Sequence, residues 1–152
     1  PYQGTTGYLH AFDREAVLDG LVGLSHALHT TAAITLMCAS QDIGRSVGDR
    51  SAGISVPLER VALPGAEPPS RQDDFDPTVF LYDAMPGGVG LAPEIHKHFP
   101  ELLRKAVALM TDCGCQDSGC PACLGAMPSY DGRAREAALA LGATLLEARG
   151  DA

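Results

Sequence analysis

The sequence predicts an α/β fold in which a small mixed sheet is flanked by helices and a four-cysteine knuckle lies between the last two helices. Three observations support this prediction. Apolar residues recur with helical spacing in several segments, short β-branched and aromatic runs lie between them, and four of the five cysteines fall within eleven residues. The 152 residues, 45% of them hydrophobic, suit a single domain over 1–152 with a substantial core.

The first elements follow from local signals. Residues 2–12 have the β-branched and aromatic content of a strand. Asp13 is a predicted N-cap, because its carboxylate can accept an orphan amide of the first helical turn. A helix with i, i+3, i+4, i+7 apolar spacing then covers about residues 14–29. Gly20 and Gly23 inside it indicate either close packing against another element or tolerated defects, each costing up to about 1 kcal/mol relative to alanine.

The middle of the chain is less regular. Residues 32–39 are apolar throughout, and their length and the following Asp42-Ile43-Gly44 favour a buried strand containing Cys38 as an inert core thiol. Residues 45–76 are rich in proline, glycine and serine, so we expect a flexible loop region with a short edge strand within 53–61. Residues 78–82, TVFLY, are the clearest strand.

A glycine-rich turn over residues 83–90 follows that strand and leads into a helix starting near Leu91. The arrangement is similar to a phosphate-cradling loop, but it lacks the lysine of a P-loop and the GxGxxG order of a dinucleotide site. We therefore expect tight packing between strand and helix. Pro100 is predicted to start a second helix, and Asp131 to cap a last helix over about 133–149.

The cysteine cluster has the spacing C-x-C-x4-C-x2-C, with glycines and a proline between the thiols. Zinc prefers tetrahedral thiolate coordination, and a structural site takes all four ligands from the protein. Two disulfides, an iron–sulfur cluster and a redox CxxC pair are the alternatives. Each is weaker, because we expect no signal peptide and five cysteines leave one over, the ferredoxin spacing differs, and a CxxC pair leaves two cysteines without a role. We predict one structural zinc ion per chain, held by Cys113, Cys115, Cys120 and Cys123 in a zinc knuckle.

The net charge of −8 argues against a generally basic nucleic-acid-binding surface, so any DNA contact is expected to be local or shared with another domain. No apolar run approaches the roughly 18 residues of a membrane span, and we predict no membrane partner. His26 and His29 lie three residues apart on the first helix, which fits a ligand or proton-transfer pair. Packed or solvated histidines are favoured, because no carboxylate occupies the matching i±4 positions. The sequence assigns no role to His96 or His98.

Two motifs, FLYDAMPGGVGLA and CGCQDSGCPAC, stand about twenty residues apart. Together they resemble the C-terminal zinc-binding domain of bacterial superfamily 2 DEAD/DEAH-box DNA helicases similar to mitomycin repair factor A. The histidine-bearing helix and apolar run over 26–44 also fit that family, and the resemblance covers about 13–152. It implies the four cysteines as metal ligands and a family-signature loop consisting of Asp83, Pro86, Gly87, Gly88 and Gly90.

The resemblance implies an accessory domain of an ATP-dependent 3′-to-5′ DNA helicase or translocase in DNA repair, which guides single-stranded DNA or docks to the motor. ATP and Mg²⁺ would bind only in upstream motor domains of the same chain. Their Walker lysine and acidic box do not occur in these 152 residues, so we assign no catalytic residue here and expect a C-terminal fragment of a larger helicase.

Lys97, Arg104 and Lys105 form the basic cluster nearest the knuckle and are the candidate DNA contacts. A cytoplasmic, nucleoid-associated protein is expected. Two alternatives stay open. One is a zinc-stapled protein-interaction scaffold without DNA contact. The other is a metal-dependent hydrolase using Asp42, Asp83 and a histidine such as His26 or His96, since paired carboxylates with a histidine can perform acid–base chemistry or hold a second metal.

Overall fold

The computed structural model describes residues 12–49, 54–56, 77–115, 118–126 and 133–148. Within them the chain forms helices α1 (Arg14–Leu36), α2 (Leu91–Thr111), α3 (Pro121–Leu124) and α4 (Ala134–Glu147). The strands are β1 (Ile43–Asp49), β2 (Ile54–Val56) and β3 (Pro77–Asp83). The predicted fold class is confirmed: a small sheet is flanked by helices, and the cysteine cluster lies between α2 and α4. The strand predicted over 2–12 and the Asp131 cap lie outside the described residues.

Helix α1 begins at the predicted cap, where the Ala16 amide donates to Asp13 Oδ1 at 2.8 Å. The prediction of a strand over 32–39 is wrong, because α1 continues to Leu36. An unbroken apolar run contains no periodicity that separates a buried helix from a buried strand, and alanines favour the helix. The helix ends at Met37, whose left-handed backbone (φ 51°) lets its amide bond back to the last turn.

The described strands form one sheet in the order β2-β1-β3, and both strand pairs are antiparallel, where a mixed sheet was expected. The central strand β1 covers residues 45–49, which we had assigned to the flexible loop. Its sequence, IGRSVGD, contains two glycines and few β-formers, so local propensity does not predict it. Pairing on both edges forms the strand instead. Residues 54–56 confirm a short strand within 53–61.

Helix α2 is one continuous helix, so the prediction of a second helix beginning at Pro100 is wrong. A proline inside a helix removes one backbone donor and costs about 3 kcal/mol. Apolar side chains on both sides of it, including Ile95, Leu102 and Leu103, are buried in the same core. Burying each such side chain contributes about 1.5–3 kcal/mol, which outweighs the proline.

The core lies where α1 crosses α2 and α4. Gly20 allows α1 to approach α4, because a Cβ there would lie 2.7 Å from Ala137 Cβ. Gly23 likewise allows α1 to approach α3, because a Cβ there would lie 2.6 Å from Leu124 Cδ2. Of the two interpretations left open by the sequence, close packing is therefore the correct one. Cys38 packs half-buried against the same core, and burial raises the pKa of its thiol, as expected of an inert cysteine.

Among the described elements, the helices pack on one side of the sheet. Val79 packs against Val17 and Leu21 of α1, so alternate residues of β3 face the helices. The intervening Phe80 and Tyr82 point to the other side, where they are 39% and 48% exposed. We call that side the outer face of the sheet. Among the described helices, none is both long and apolar enough to cross a membrane.

Candidate metal centre

The chain after α2 turns back sharply to bring four thiols together. Asp112 ends α2, and Cys113 and Cys115 follow at once. Gly119 has φ 96°, a left-handed backbone that glycine adopts without strain. Cys120 then caps the one-turn helix α3, with a proline at its first position, and this helix carries Cys123.

The four sulfur atoms all lie within 4.8 Å of one another. The Sγ–Sγ distances are 3.7 Å between Cys113 and Cys120, 3.7 Å between Cys115 and Cys123, and 3.8 Å between Cys120 and Cys123. Four sulfurs placed tetrahedrally about 2.3 Å from one zinc ion would be about 3.8 Å apart. The residues therefore fit one Zn²⁺ ion with a closed, structural set of ligands.

The alternatives for this cluster fit less well. A disulfide requires sulfurs about 2.05 Å apart, and all four cysteines are free thiols. An iron–sulfur cluster spreads its thiolates over several metal atoms, whereas these sulfurs surround a single point. A redox pair would involve Cys120 and Cys123 alone, but Cys113 and Cys115 complete the same tetrahedron.

Burial and hydrogen bonding shift the pKa values of the knuckle thiols in opposite directions. Desolvation, and then hydrogen bonds with the other three thiols, raise the pKa of Cys115 to about 12. Burial also raises the pKa of Cys123. Cys120 differs, because the backbone amides of Cys123 and Ala122 stabilise its thiolate and lower its pKa to about 7. The thiols with a raised pKa, Cys115 and Cys123, keep protons that a metal ion must displace, so metal binding releases protons and depends on pH.

Arg135 on α4 joins the knuckle to the helices. Its guanidinium donates to the carbonyl oxygens of Met110 at 2.8 Å, Thr111 at 3.3 Å and Cys113 at 3.5 Å. The Met110 and Thr111 carbonyls end α2, where the helix dipole favours a positive charge. No local signal in the sequence identifies Arg135, because its partners lie 22–25 positions earlier in the chain.

His26 and His29 make structural contacts. His26 Nε2 lies 3.3 Å from the Ala122 carbonyl, and its ring leaves no room for a side chain at Gly125, where a Cβ would lie 2.9 Å away. Burial, and then the charge of Arg45, lower the pKa of His26. His29 Nε2 lies 2.9 Å from the carbonyls of Ser40 and Ile43. Since carbonyls can only accept, each Nε2 carries a proton, so these nitrogens are not available as metal ligands.

The three candidate DNA contacts lie on the exposed side of α2, but acidic residues are interleaved with them. Lys97 Nζ is 3.4 Å from Glu94, and Lys105 Nζ is 2.6 Å from Glu101. Arg104 is exposed, and its charge contributes to lowering the pKa of Glu101. This face of α2 is therefore of mixed charge, and of the three candidate contacts Arg104 is the one that forms no ion pair with a described residue.

The family-signature loop lies at the opposite end of α2 from the knuckle, about 30 Å away for a helix of 21 residues. The Asp83 carboxylate accepts the amides of Val89 at 3.2 Å, Leu91 at 2.9 Å and Ala92 at 3.2 Å. These bonds lower the pKa of Asp83. They also place its charge at the helix N-terminus, where a phosphate would otherwise bind.

Asp42 has a similar structural use, because its carboxylate accepts the Ala39 amide at 3.1 Å. The Ala84 amide also donates to the Asp42 backbone carbonyl at 2.9 Å. Both carboxylates of the hydrolase alternative therefore serve as caps of backbone amides. Among the described residues, the four cysteines form the one group of three or more side chains able to share a metal ion.

Comparison with known proteins agrees with this geometry. The model of the MrfA Zn-binding domain family matches residues 24–124. A Bacillus subtilis protein named as an uncharacterised ATP-dependent helicase, YprA, is 38% identical over 64% of this chain and 15% of its own. An uncharacterised protein of Methanocaldococcus jannaschii is 39% identical over 30% of this chain and 40% of its own.

A crystal structure described as the DUF1998 helicase MrfA bound to DNA superposes with a TM-score of 0.64 and 28% sequence identity. That match covers 88% of this chain and 15% of the helicase. The chain thus spans about 15% of the length of the two helicases that it resembles. The family match includes the whole cysteine cluster and the signature loop, which confirms the resemblance found in the sequence. The chain belongs to the MrfA Zn-binding domain family.

Proposed function

We propose that this chain is the accessory zinc-binding domain of an ATP-dependent 3′-to-5′ DNA helicase or translocase that acts in DNA repair. The observation that carries the proposal is the likeness, over 88% of the chain, to a helicase whose structure was solved with DNA bound. ATP and Mg²⁺ would be bound by motor domains elsewhere in the protein, which are the first partner of this domain. Such an enzyme works in the bacterial cytoplasm, associated with the nucleoid.

The zinc ion has a structural role in this proposal. The knuckle connects three helices: it follows α2 directly, it packs Leu124 against Gly23 of α1, and it accepts Arg135 from α4. Zn²⁺ held by the four cysteines fixes these contacts, and the free energy of metal binding adds to that of folding. When bound, the ion supplies no catalytic chemistry, because a closed set of four ligands leaves no open position.

Single-stranded DNA is the second proposed partner, with Lys97, Arg104 and Lys105 as contacts. DNA phosphates would have to compete with Glu94 for Lys97 and with Glu101 for Lys105. A phosphate contact to Arg104 would not have to displace such an ion pair. Each phosphate contact to a single strand should change the slope of log affinity against log salt by about 0.7. Arg104→Glu should therefore weaken DNA binding by the intact protein and flatten its salt dependence.

The test uses the intact natural polypeptide that contains this chain. ATP-driven unwinding is measured on duplexes with a 3′ or a 5′ single-stranded tail, and single-strand affinity is measured for the wild type and for Arg104→Glu. Arg133→Glu, at the N-cap of α4, is the matched control, since it makes the same change of charge outside α2. Unwinding from the 3′ tail alone, with a loss of affinity specific to Arg104→Glu, supports the proposal.

Other outcomes assign a different function. Absence of ATP-driven unwinding or translocation would refute the helicase assignment. If the wild type unwinds DNA but Arg104→Glu leaves the affinity for DNA unchanged, the proposed DNA contact on α2 is refuted. The helicase assignment then still stands. A polypeptide that binds no DNA and co-purifies with a protein partner would support the zinc-stapled interaction scaffold.

A further inference from the structure

Exposed apolar side chains are concentrated in one short part of the described chain. Six large hydrophobic residues are substantially exposed, and four of them lie within ten positions of one another. Phe80 is 39% and Tyr82 48% exposed on β3, and Met85 is 50% and Val89 62% exposed in the loop that follows. Isolated exposed apolar residues are normal, but a grouping of this kind marks an interaction site.

The two aromatic rings belong to the outer face of the sheet. Pairing places Ser46 opposite Phe80 and Gly44 opposite Tyr82 on the neighbouring strand β1. The Tyr82 ring lies directly over Gly44 and fills the space that a side chain there would need. Cross-strand packing on a glycine holds this ring in place, so the outer face presents aromatic surface with little loss of side-chain freedom on binding.

The loop over residues 84–90 is fixed by its own hydrogen bonds. The Asp83 carboxylate accepts hydrogen bonds from the amide of Val89 in the loop and from the amides of Leu91 and Ala92 at the start of α2. The Gly88 amide also donates to the Met85 carbonyl at 2.9 Å. Gly87, Gly88 and Gly90 have φ of 88°, 71° and 85°, which other residues rarely adopt. The loop thus holds a defined conformation, although Met85 and Val89 remain half or more exposed.

Internal packing does not account for the glycines. Around Gly87 and Gly90, a Cβ would meet no described atom within 4 Å, so these positions are open. The glycines serve the path of the loop, not close contact within the domain. A loop fixed in advance loses little conformational entropy when another surface binds to it, which is a property of docking sites.

The chemistry of this surface favours a protein partner over a nucleic acid. The outer-face positions of β1 and β3 and the loop contain glycine, serine, threonine, alanine, proline and the four apolar side chains, with no lysine or arginine in the described part. Arg45 of β1 does not contribute, because it points to α1 and donates to Ser25 Oγ at 3.0 Å. Nucleic-acid sites combine aromatic stacking with cations that follow the phosphates, and the cations are missing here.

We propose that the outer face of the sheet and the 84–90 loop form one docking surface for an apolar patch on the motor domains of the same helicase. This inference rests on the proposed function. Its occupant follows from the comparisons, since the matched domain is 15% of each helicase relative and most of the relative's chain lies outside it. The loop would present Met85 and Val89 to that patch in a fixed conformation, with Phe80 and Tyr82 beside them.

The test is site-specific photocrosslinking in the intact natural polypeptide, without DNA or nucleotide. Val89 is replaced by the photoreactive residue p-benzoylphenylalanine, and crosslinked peptides are identified by mass spectrometry. Met37 is the matched control, because it is 92% exposed and apolar but lies at the end of α1. The expected result is an intramolecular crosslink from position 89 to motor-domain peptides, with a yield independent of protein concentration and absent from position 37.

A second substitution links the crosslink to the surface. Phe80→Asp should lower the yield from position 89 at least tenfold, because a carboxylate is poorly tolerated in an apolar contact. Zinc content of this variant reports that the domain still folds. Crosslinks to a second copy, crosslinks that require added single-stranded DNA, or a yield no greater than from position 37 would each overturn the docking proposal.

The two proposals fail in different ways. If the polypeptide unwinds DNA but position 89 gives no crosslink to the motor domains, only the docking proposal is refuted. A polypeptide that contains no motor domain removes both.

Discussion

Gly20 lies where α1 crosses α4, and replacing it with alanine sets two effects of opposite sign against each other. Alanine favours the helix by about 1 kcal/mol relative to glycine. The new Cβ would lie 2.7 Å from Ala137 Cβ, 2.8 Å from Ala138 N and 2.9 Å from Ala137 C. Two of these three atoms are backbone, so a side-chain rotation cannot relieve the contact.

Overpacking of this kind destabilises by about 1–3 kcal/mol, and backbone obstruction places Gly20→Ala in the upper part of that range. After the gain in helix propensity, we expect a net loss of about 1–2 kcal/mol of unfolding free energy. For a chain of this length that corresponds to a melting temperature lower by about 2–8 °C. Thermal unfolding of the zinc-loaded domain, followed by circular dichroism, measures it.

Gly142→Ala on α4 is the matched control. Its new Cβ would also be close to a neighbour, but that neighbour is Val107 Cγ2 at 2.6 Å, the end of a partly exposed side chain. It should therefore destabilise less than Gly20→Ala. A Gly20→Ala domain that melts at a higher temperature than the wild type would show that α1 and α4 do not approach as closely as described.

Substitutions at three further positions probe the knuckle and its supports. The purified domain should contain one zinc ion per chain by elemental analysis. Cys120→Ser should lose both the zinc and the cooperative thermal transition, because removal of one thiolate opens the site. Full metal content in this variant would contradict the assignment. Arg135→Leu should destabilise by about 1–3 kcal/mol, since three carbonyls lose a charged donor, and Arg135→Lys should recover part of the loss; denaturant titration measures both. His26 has a folded-state pKa below 6.5, so the unfolded chain binds the extra proton and stability should fall as the pH drops below 6.5 toward the folded-state value. Arg45, His29 and the Ala122 carbonyl are the groups that influence the pKa of His26. In His26→Gln, the free energy of unfolding should therefore fall less between pH 7.5 and 5.5 than it does in the wild type. An equal fall in the variant and the wild type would contradict this role of His26.

The parts of the molecule that the sequence predicted correctly depend on neighbours in the chain. The four cysteines needed only their spacing, the Asp13 cap acts three residues away, and the strand over 78–82 is β-branched and bounded by breakers. Each of these signals is complete within about ten residues. The location of the metal centre could therefore be predicted without knowledge of the fold.

The parts that were wrong depend on distant contacts. Residues 32–36 are helical because the core accepts a helix there, Pro100 is tolerated because buried side chains lie on both sides of it, and 45–49 become a strand through pairing with β3. Arg135 acts on carbonyls more than twenty positions away. The DNA contacts on α2 stay a prediction, since their ion pairs with glutamates neither require nor forbid a nucleic acid.

The difference in sequence separation between the knuckle and the sheet has a consequence for the order of folding. The cysteines lie within residues 113–123, whereas the β1–β3 pairing joins Ile43 to Asp83. Closing the larger loop costs about 1 kcal/mol more in chain entropy, since that term grows with the logarithm of length. We therefore expect the thiols to capture zinc while the sheet is still unpaired. Refolding monitored by stopped-flow fluorescence of a thiol-competing zinc indicator should then show metal uptake before the circular-dichroism change of the sheet, and the reverse order would contradict it. The supply of zinc would in that case determine how fast newly made chains fold, in addition to how stable the folded domain is afterwards.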